Sequence, residues 1–251
     1  MKHVFSKGKL AVVLVIFCIN QVDAQTDIPK FEFGANIGFL VYQGDLTPQK
    51  IGSFRTKKLS IGLHASKLIS PAFSIKGNLQ FGKLEGNDAL YDDPEYRQFR
   101  NFYFKSPLIE LSGQFVWNIL GRNYRDRGFS PFIFAGAGLS YLNVKRDWSH
   151  INTTYFDPEV SEVWSGLGID TTTSAPKLLP AIPIGLGVKY FFTPQWAINA
   201  ETSYRITSTD YLDGFSKAAN PDKKDSYMNY SIGLIYRTGK KNRFACPVIR
   251  Y

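Results

Sequence analysis

Hydrophobic and polar residues alternate along this chain in runs that begin at Lys30 and end at Arg237. The last run, from Tyr227 to Arg237, shows the pattern most clearly, and Ile235 is its one exception. One face carries Met228, Tyr230, Ile232, Leu234 and Tyr236, and the other carries Asn229, Ser231, Gly233 and Arg237. Alternation at a period of two residues indicates a β-strand with two unlike faces.

Seven earlier runs alternate in the same way, so the sequence predicts eight strands. They span residues 30–43, 59–66, 73–82, 109–118, 130–144, 178–191, 195–205 and 227–237. The connections are short after the second, fourth and sixth strands and long after the first, third, fifth and seventh. Outer-membrane barrels have short turns at one end and longer loops at the other, so that short and long connections alternate along the chain. Greek-key crossovers in a sandwich interrupt this alternation. The pattern therefore favours an up-and-down barrel.

The predicted strands have the length and the aromatic residues that a membrane barrel needs. A tilted membrane strand takes about 9–11 residues, whereas strands of soluble domains usually have about five or six. Aromatic residues lie near the ends of the apolar rows, at Phe31, Phe73, Trp117, Tyr141, Tyr190, Trp196, Tyr204 and Tyr236. Such positions suit the interfacial girdles of a barrel, and the alternative is the core of a soluble sandwich. The predicted fold class is all-β: an eight-stranded antiparallel up-and-down transmembrane β-barrel with a short periplasmic C-terminal tail.

The polar rows of these strands carry charges of both signs. The interior of an eight-stranded barrel is only wide enough for side chains to fill it. Opposite charges confined there should pair, because an unpaired charge away from bulk water is costly. We therefore predict a filled lumen without a pore. Its ion-pair network comprises Glu32, Lys76, Glu110, Lys189, Glu201, Arg205 and Arg237.

The first 24 residues have the features of a secretory signal peptide. Three lysines precede an apolar run over residues 10–19, and a cleavage site with small residues ends at Ala24. The predicted divisions are thus a signal peptide (1–24), a barrel (25–237) and a periplasmic tail (238–251). The formal net charge of +9 is spread over scattered basic residues, which favours acidic lipid headgroups over nucleic acid as the neighbour.

No arrangement of residues predicts catalysis, a cofactor or a metal. His64 and His150 lie on different elements, and we find no defensible Ser-His-Asp order and no glycine-rich phosphate loop. An acidic cluster over residues 88–95 offers oxygen ligands for calcium, but the arginines that follow favour local salt bridges. The sequence therefore predicts a protein that is not an enzyme.

The tail contains the one cysteine that remains after removal of the leader, Cys246. An odd cysteine in an oxidising compartment indicates a disulfide to another protein or a free thiol. Its neighbours Phe244, Val248, Ile249 and Tyr251 are apolar, which favours a docking segment. The alternative is a frayed terminus without a role.

Several stretches resemble the PorG-like outer-membrane barrels of Bacteroidetes, a family that includes a component of the type IX secretion system. They are residues 34–46 (Gly-Ala-Asn-Ile-Gly to Tyr-Gln-Gly-Asp-Leu), 86–94 (Gly-Asn-Asp-Ala-Leu-Tyr-Asp-Asp-Pro), 100–111 and 209–213. The resemblance implies a barrel in the outer membrane of a Gram-negative bacterium, with periplasmic termini, that anchors a ring of PorK-like lipoprotein and PorN-like protein. Cys246 would then be a candidate covalent link to the lipoprotein. Two alternatives stay open: a structural or adhesive OmpA-like barrel that acts through its extracellular loops, and a membrane-embedded barrel enzyme.

Overall fold

The computed structural model describes residues 29–49, 52–220 and 224–239. The expected signal peptide and the tail beyond residue 239 lie outside these ranges. The strands are β1 (Phe31–Gln43), β2 (Lys58–Leu68), β3 (Phe73–Asn87), β4 (Tyr103–Asn118), β5 (Gly128–Leu142), β6 (Lys145–Asp147), β7 (Leu178–Phe191), β8 (Trp196–Thr207) and β9 (Ser226–Thr238). The helices are α1 (Tyr96–Arg100) and α2 (Glu162–Thr172), with 3₁₀ turns at Phe54–Thr56 and Asp88–Leu90. No helix in the described ranges is long and apolar enough to cross a membrane.

Eight of these strands form a closed antiparallel ring, and the predicted barrel is confirmed. Each long strand pairs with its neighbours in the chain, and the short β6 adds to the end of β4. The ring closes because β1 pairs with β9, from Phe31 opposite Thr238 to Gln43 opposite Ser226. A closed ring leaves no unpaired strand edge, which is the condition for strands to cross a bilayer.

The two faces of the barrel wall have opposite character. Leu111 is 64% exposed and Ile232 is 63% exposed, whereas Glu110 is fully buried on the inner face. A soluble domain buries its large apolar side chains, so an apolar outside with a polar inside is the pattern of a barrel that faces lipid. Val41 falls on the outer row of β1 by alternation, but unlike the other residues of that row it is buried. The chain folds back at Gly52 against the end of β1 and covers it.

The strands on one side are longer than the sequence pattern predicted. β3 continues to Asn87 and β4 begins at Tyr103, which lies opposite Asn87, whereas residues 83–104 were expected to be a loop. The expected irregular region 145–177 contains β6 and α2. In this extension Lys83, Glu85 and Lys105 lie on the outer face, whereas Leu84 and Phe104 are buried on the inner face. The polarity of the two faces is therefore reversed relative to the rest of these strands, and the alternation does not continue in phase.

The long loops pack against the inner-face residues of the strand ends and form a hydrophobic core at one end of the barrel. Its buried residues are Leu40, Tyr42, Leu46, Leu84, Phe102, Phe104, Leu108, Leu142, Leu167, Leu179, Leu212, Phe215, Ala218 and Tyr227. Phe102 stacks on Phe215 with 4.4 Å between ring centroids. The alternation of the sequence gives no sign of this packing, in which apolar residues of the four long connections meet over the barrel end. We call this assembly the loop cap.

Candidate functional site

The seven charged residues predicted for the lumen lie on the inner face, and six of them form three ion pairs. Lys76 Nζ is 2.9 Å from Glu201 Oε2, and Arg205 Nε is 3.1 Å from Glu110 Oε2. The third pair joins Lys189 to Glu32. These pairs connect strands that are not neighbours in the ring, so they tie separate parts of the wall together across the lumen.

Two of the three lumen carboxylates, Glu110 and Glu201, have further partners. The Tyr227 hydroxyl donates to Glu110 Oε2 at 2.7 Å, and Arg205 also donates to Gln80 Oε1 at 3.2 Å. Asn36 donates to Glu201 Oε1 at 2.8 Å. The sequence pattern did not identify Tyr227 as a member of this network, because an aromatic residue at a strand end looks like part of an interfacial girdle.

The lumen between these side chains is filled. The cavity lined by His64, Lys76 and Glu201 holds only about 10 Å³, roughly the least that admits one water molecule. The phenyl ring of Phe134 fills space beside Lys76, whose Nζ lies 4.6 Å from the ring centroid. Among the described residues, this cavity beside the paired acids is too small to admit a solute larger than water.

Arg237 behaves differently from the other six predicted lumen residues. Within the described ranges it forms no ion pair, and its guanidinium donates to the backbone carbonyls of Asn123 (2.8 Å), Arg125 (2.6 Å) and Pro194 (3.1 Å). It also lies 4.0 Å over the ring of Phe191. Arg237 is near the end of β9, where carbonyls of two turns converge. Arg237 therefore holds the two turns against the last strand. We call this end of the barrel the turn-side rim.

The loop cap contains a buried carboxylate that organises a neighbouring loop. Asp170, near the end of α2, accepts backbone N–H bonds from Ser216 (3.1 Å), Lys217 (3.1 Å) and Ala218 (2.9 Å). The helix itself begins with Ser161 as N-cap, whose side chain accepts from the amide of Val163. A side chain at Gly166 would collide with the Lys217 carbonyl, so glycine permits this close approach.

Two further carboxyl groups of the cap share one tyrosine. The Tyr42 hydroxyl lies 2.7 Å from Asp213 Oδ2 and 2.8 Å from Asp225 Oδ1. One hydroxyl hydrogen cannot be donated to both, so one contact requires a proton on a carboxyl group. Burial raises the pKa of Asp213 and of Asp225 well above the usual range, and the neighbouring Asp213 raises the pKa of Asp225 further. The cap therefore holds a proton that an exposed aspartate would release.

The acidic cluster at residues 88–95 contains a buried ion-pair group. Arg97 Nη1 is 2.8 Å from Asp88 Oδ1, and Arg100 Nε is 2.6 Å from Asp88 Oδ2. Both arginines also donate to the backbone carbonyl of Asp45, which joins this loop to the one after β1. Within the described ranges no three His, Cys, Asp or Glu side chains are arranged to hold a metal.

The tail residues Phe244, Cys246, Val248, Ile249 and Tyr251 lie outside the described residues. The nearest described segment is the end of β9 at the turn-side rim. There Lys30 donates its backbone N–H to the Thr238 carbonyl at 3.0 Å. The described barrel therefore has its first and last residues side by side at this rim.

Solved structures similar to this chain include several outer-membrane barrels. Neisserial surface protein A is 15% identical, with a TM-score of 0.48, over 83% of this chain and 97% of that one. OprG from Pseudomonas aeruginosa is 10% identical, with a TM-score of 0.43, over 87% of this chain and 100% of that one. The outer membrane enzyme PagL is 13% identical, with a TM-score of 0.38, over 81% of this chain and 97% of that one.

No curated protein sequence matches this chain. A family model with the description "Domain of unknown function (DUF6089)" matches residues 7–246, nearly the whole sequence. The chain therefore belongs to the DUF6089 family.

Proposed function

We propose that this protein is a non-enzymatic outer-membrane barrel that anchors a periplasmic protein-secretion assembly. In this proposal the barrel fixes the chain in the membrane, and the tail with Cys246 docks a periplasmic lipoprotein. The resemblance to PorG-like barrels supplies the kind of assembly, a type IX secretion system with PorK-like and PorN-like ring proteins.

The observation that carries the proposal is the filled lumen. Lys76–Glu201, Arg205–Glu110 and Lys189–Glu32 connect the walls, and the cavity that these described residues enclose beside Lys76 and Glu201 holds only about 10 Å³. A barrel without a passage cannot act as a solute channel, so its role must reside in its surfaces. The loop cap seals one end, and the turn-side rim is the end from which the tail continues.

The apolar outer wall supports the membrane location. Large apolar side chains such as Leu111, Phe115 and Ile232 are more than half exposed on strands of the ring. An exposed apolar surface of this extent would drive aggregation in water, and lipid is the environment that stabilises it. Barrels of antiparallel strands with this polarity are the outer-membrane type.

The lumen acids support the absence of catalysis. Glu110 is held by Arg205 and Tyr227, and Glu201 is held by Lys76 and Asn36. A catalytic acid must contact its substrate, and the cavity of about 10 Å³ that the described residues form beside Glu201 is too small to admit one. Ion pairing within a filled interior is a structural role.

A second candidate is an adhesive barrel that acts through its loops. The observation that favours it is the exposed apolar surface of the segment before α2, where Val160 is 82% exposed and Tyr155 is 53% exposed. The two functions use opposite ends of the molecule. Deletion of residues 240–251 should abolish partner binding and secretion for an anchor and should leave adhesion intact.

A pull-down under non-reducing conditions tests the anchor proposal. We expect the wild-type chain to retain a periplasmic lipoprotein in a band that dissociates on reduction, and Cys246→Ala to lose this band. Asn242→Ala, a change in the same tail that keeps the thiol, is the matched control and should behave as wild type. Retention of the same band by Cys246→Ala would show that the thiol does not link the partner.

A further inference from the structure

Three lysines lie together on the outer surface where the sheet extends beyond its apolar band. They are Lys83 on β3, Lys105 on β4 and Lys145 on β6, and each is exposed. Lys105 lies directly opposite Lys145. Lys83 lies opposite Pro107, and Pro107 is two residues from Lys105 on the same face of β4, so Lys83 and Lys105 are diagonal neighbours. We call these residues the three-lysine cluster.

The cluster is not neutralised within the protein. Like charges directly opposite one another on a sheet are destabilising. Two carboxylates lie in the same ladder, and both have other partners. Glu85 lies opposite Lys105 but is 2.8 Å from Lys58, and it accepts a hydrogen bond from Tyr103. Asp147, two residues beyond Lys145 on β6, accepts the backbone N–H of Ser149 at 2.9 Å. None of the three lysines forms an ion pair with another described residue. The surface therefore favours an external anion.

The position of the cluster along the barrel indicates what this anion is. Lys83 follows the exposed Phe81 by two residues on β3, and Lys105 precedes the exposed Ile109 by four on β4. At about 3.3 Å per residue on strands tilted by about 40°, the Cα atoms of Lys83 and Lys105 stand roughly 5–10 Å beyond the apolar band. The headgroup zone of a bilayer extends about that far from the hydrocarbon.

We propose that the three-lysine cluster binds the phosphate groups of lipids whose headgroups carry a net negative charge, in the leaflet on the loop side. This inference rests on the proposed membrane location. Ammonium groups are compact cations that bind phosphate as point charges. The bound phosphate would neutralise the facing charges of Lys105 and Lys145. It would also hold this side of the barrel against the headgroups of that leaflet.

The test compares phosphorylated-lipid binding by three forms of the full chain. One form carries Lys83→Gln, Lys105→Gln and Lys145→Gln, and a second carries arginine at the same positions. The matched control carries Lys67→Gln, Arg122→Gln and Arg127→Gln, which removes three cations at the turn-side rim. Each form is placed in phosphatidylcholine vesicles that contain a minor share of lipid A, and the lipid A retained after detergent extraction is counted by native mass spectrometry.

We expect the glutamine form to retain at least about tenfold less lipid A than wild type. The arginine form and the turn-side control should both retain the wild-type amount. Millimolar inorganic phosphate should not compete, because the ligand is held in the leaflet. Equal losses in the glutamine form and the turn-side control, or no loss in either, would overturn the proposal, and so would competition by free phosphate.

Membrane location is measured separately for each form, so the two proposals can fail independently. Outer-membrane fractions from cells that express each form are assayed for folded barrel by heat-dependent mobility. Absence of the wild type from these fractions would refute the membrane location itself. Correct location of all forms with unchanged lipid A binding would refute only the role of the cluster.

Discussion

Lys76 Nζ lies 2.9 Å from Glu201 Oε2 and joins β3 to β8, which stand opposite one another in the ring. Both side chains are more than nine-tenths buried. The pair therefore holds the barrel wall together across its full width, and the same contact that stabilises the fold closes the lumen.

The first prediction concerns this pair. We expect Glu201→Leu to lower the free energy of unfolding by about 3–5 kcal/mol, because it leaves the Lys76 charge buried without its partner. The double change Lys76→Met with Glu201→Leu should cost clearly less than the single one. Urea unfolding of the barrel in lipid vesicles, followed by tryptophan fluorescence, measures both values.

Glu159→Leu is the control for that comparison. Glu159 is exposed on the loop cap, so its replacement should change the free energy of unfolding by no more than about 0.5 kcal/mol. A double change that costs as much as Glu201→Leu alone would mean that the ion pair does not couple the two strands.

The second prediction concerns Asp170 in the loop cap. We expect Asp170→Ala to destabilise the 211–218 segment by on the order of 3 kcal/mol, because three backbone donors lose their acceptor. Hydrogen exchange should accelerate at Ser216, Lys217 and Ala218 while the barrel strands keep their protection. Asp157→Ala, which removes an exposed carboxylate from the same connection between β6 and β7, is the matched control. Unchanged exchange at the three amides would contradict the assigned role.

The third prediction concerns pH. Burial raises the folded-state pKa of Asp213 and Asp225, so the folded cap binds a proton that the unfolded chain releases above about pH 4. The stability from this proton is fully present below that pH and is lost as the pH rises through the raised folded-state pKa. We expect protection of the Leu212 and Phe215 amides, corrected for intrinsic exchange, to fall across this window.

Asp213→Asn distinguishes this mechanism from a general effect of pH. The amide can still accept from the Phe215 N–H and can donate to the Tyr42 oxygen, which then donates to Asp225. The variant should therefore fold with a flatter dependence of cap protection on pH. An equally steep dependence in Asp213→Asn would show that the shared proton is not its cause.

The fourth prediction concerns the turn-side rim. We expect Arg237→Ala to expose the turn over residues 119–127 to protease, because the Asn123 and Arg125 carbonyls lose their common donor. Arg127→Ala removes an exposed charge from the same turn and should leave the cleavage rate near that of wild type. Limited proteolysis of the detergent-solubilised chain measures both rates, and equal rates would exclude a clamp at Arg237.

The barrel could be predicted from the sequence because its signal is periodic. Residues such as Ile232 and Leu234 repeat every second position, and the lumen charges fall on the opposite row, so both faces follow from local spacing alone. The pairing of Lys76 with Glu201 also depends on the register between strands that are distant in sequence. Opposite charges on the same face suggest a network but do not specify which partners meet.

The loop cap could not be predicted in this way. Phe102 and Phe215 lie in segments with no period, and their stacking depends on four loops that fold together over the barrel end. The proton shared near Tyr42 depends on the same long-range assembly. Arg237 was assigned to the lumen because it lies on the inner row of β9, but its position near the strand end places it among turn carbonyls.

The central claim is that the apolar row of every barrel strand contacts hydrocarbon while the opposite row faces a filled lumen. Spin labels placed singly at Ser231, Ile232, Leu234 and Ile235 of β9, in reconstituted membranes, test it most directly. We expect the labels at 232 and 234 to be accessible to oxygen and not to a water-soluble nickel chelate, and the labels at 231 and 235 to be protected from both. Labels at 232 and 234 that the nickel chelate reaches, or accessibility without alternation along the strand, would contradict the account.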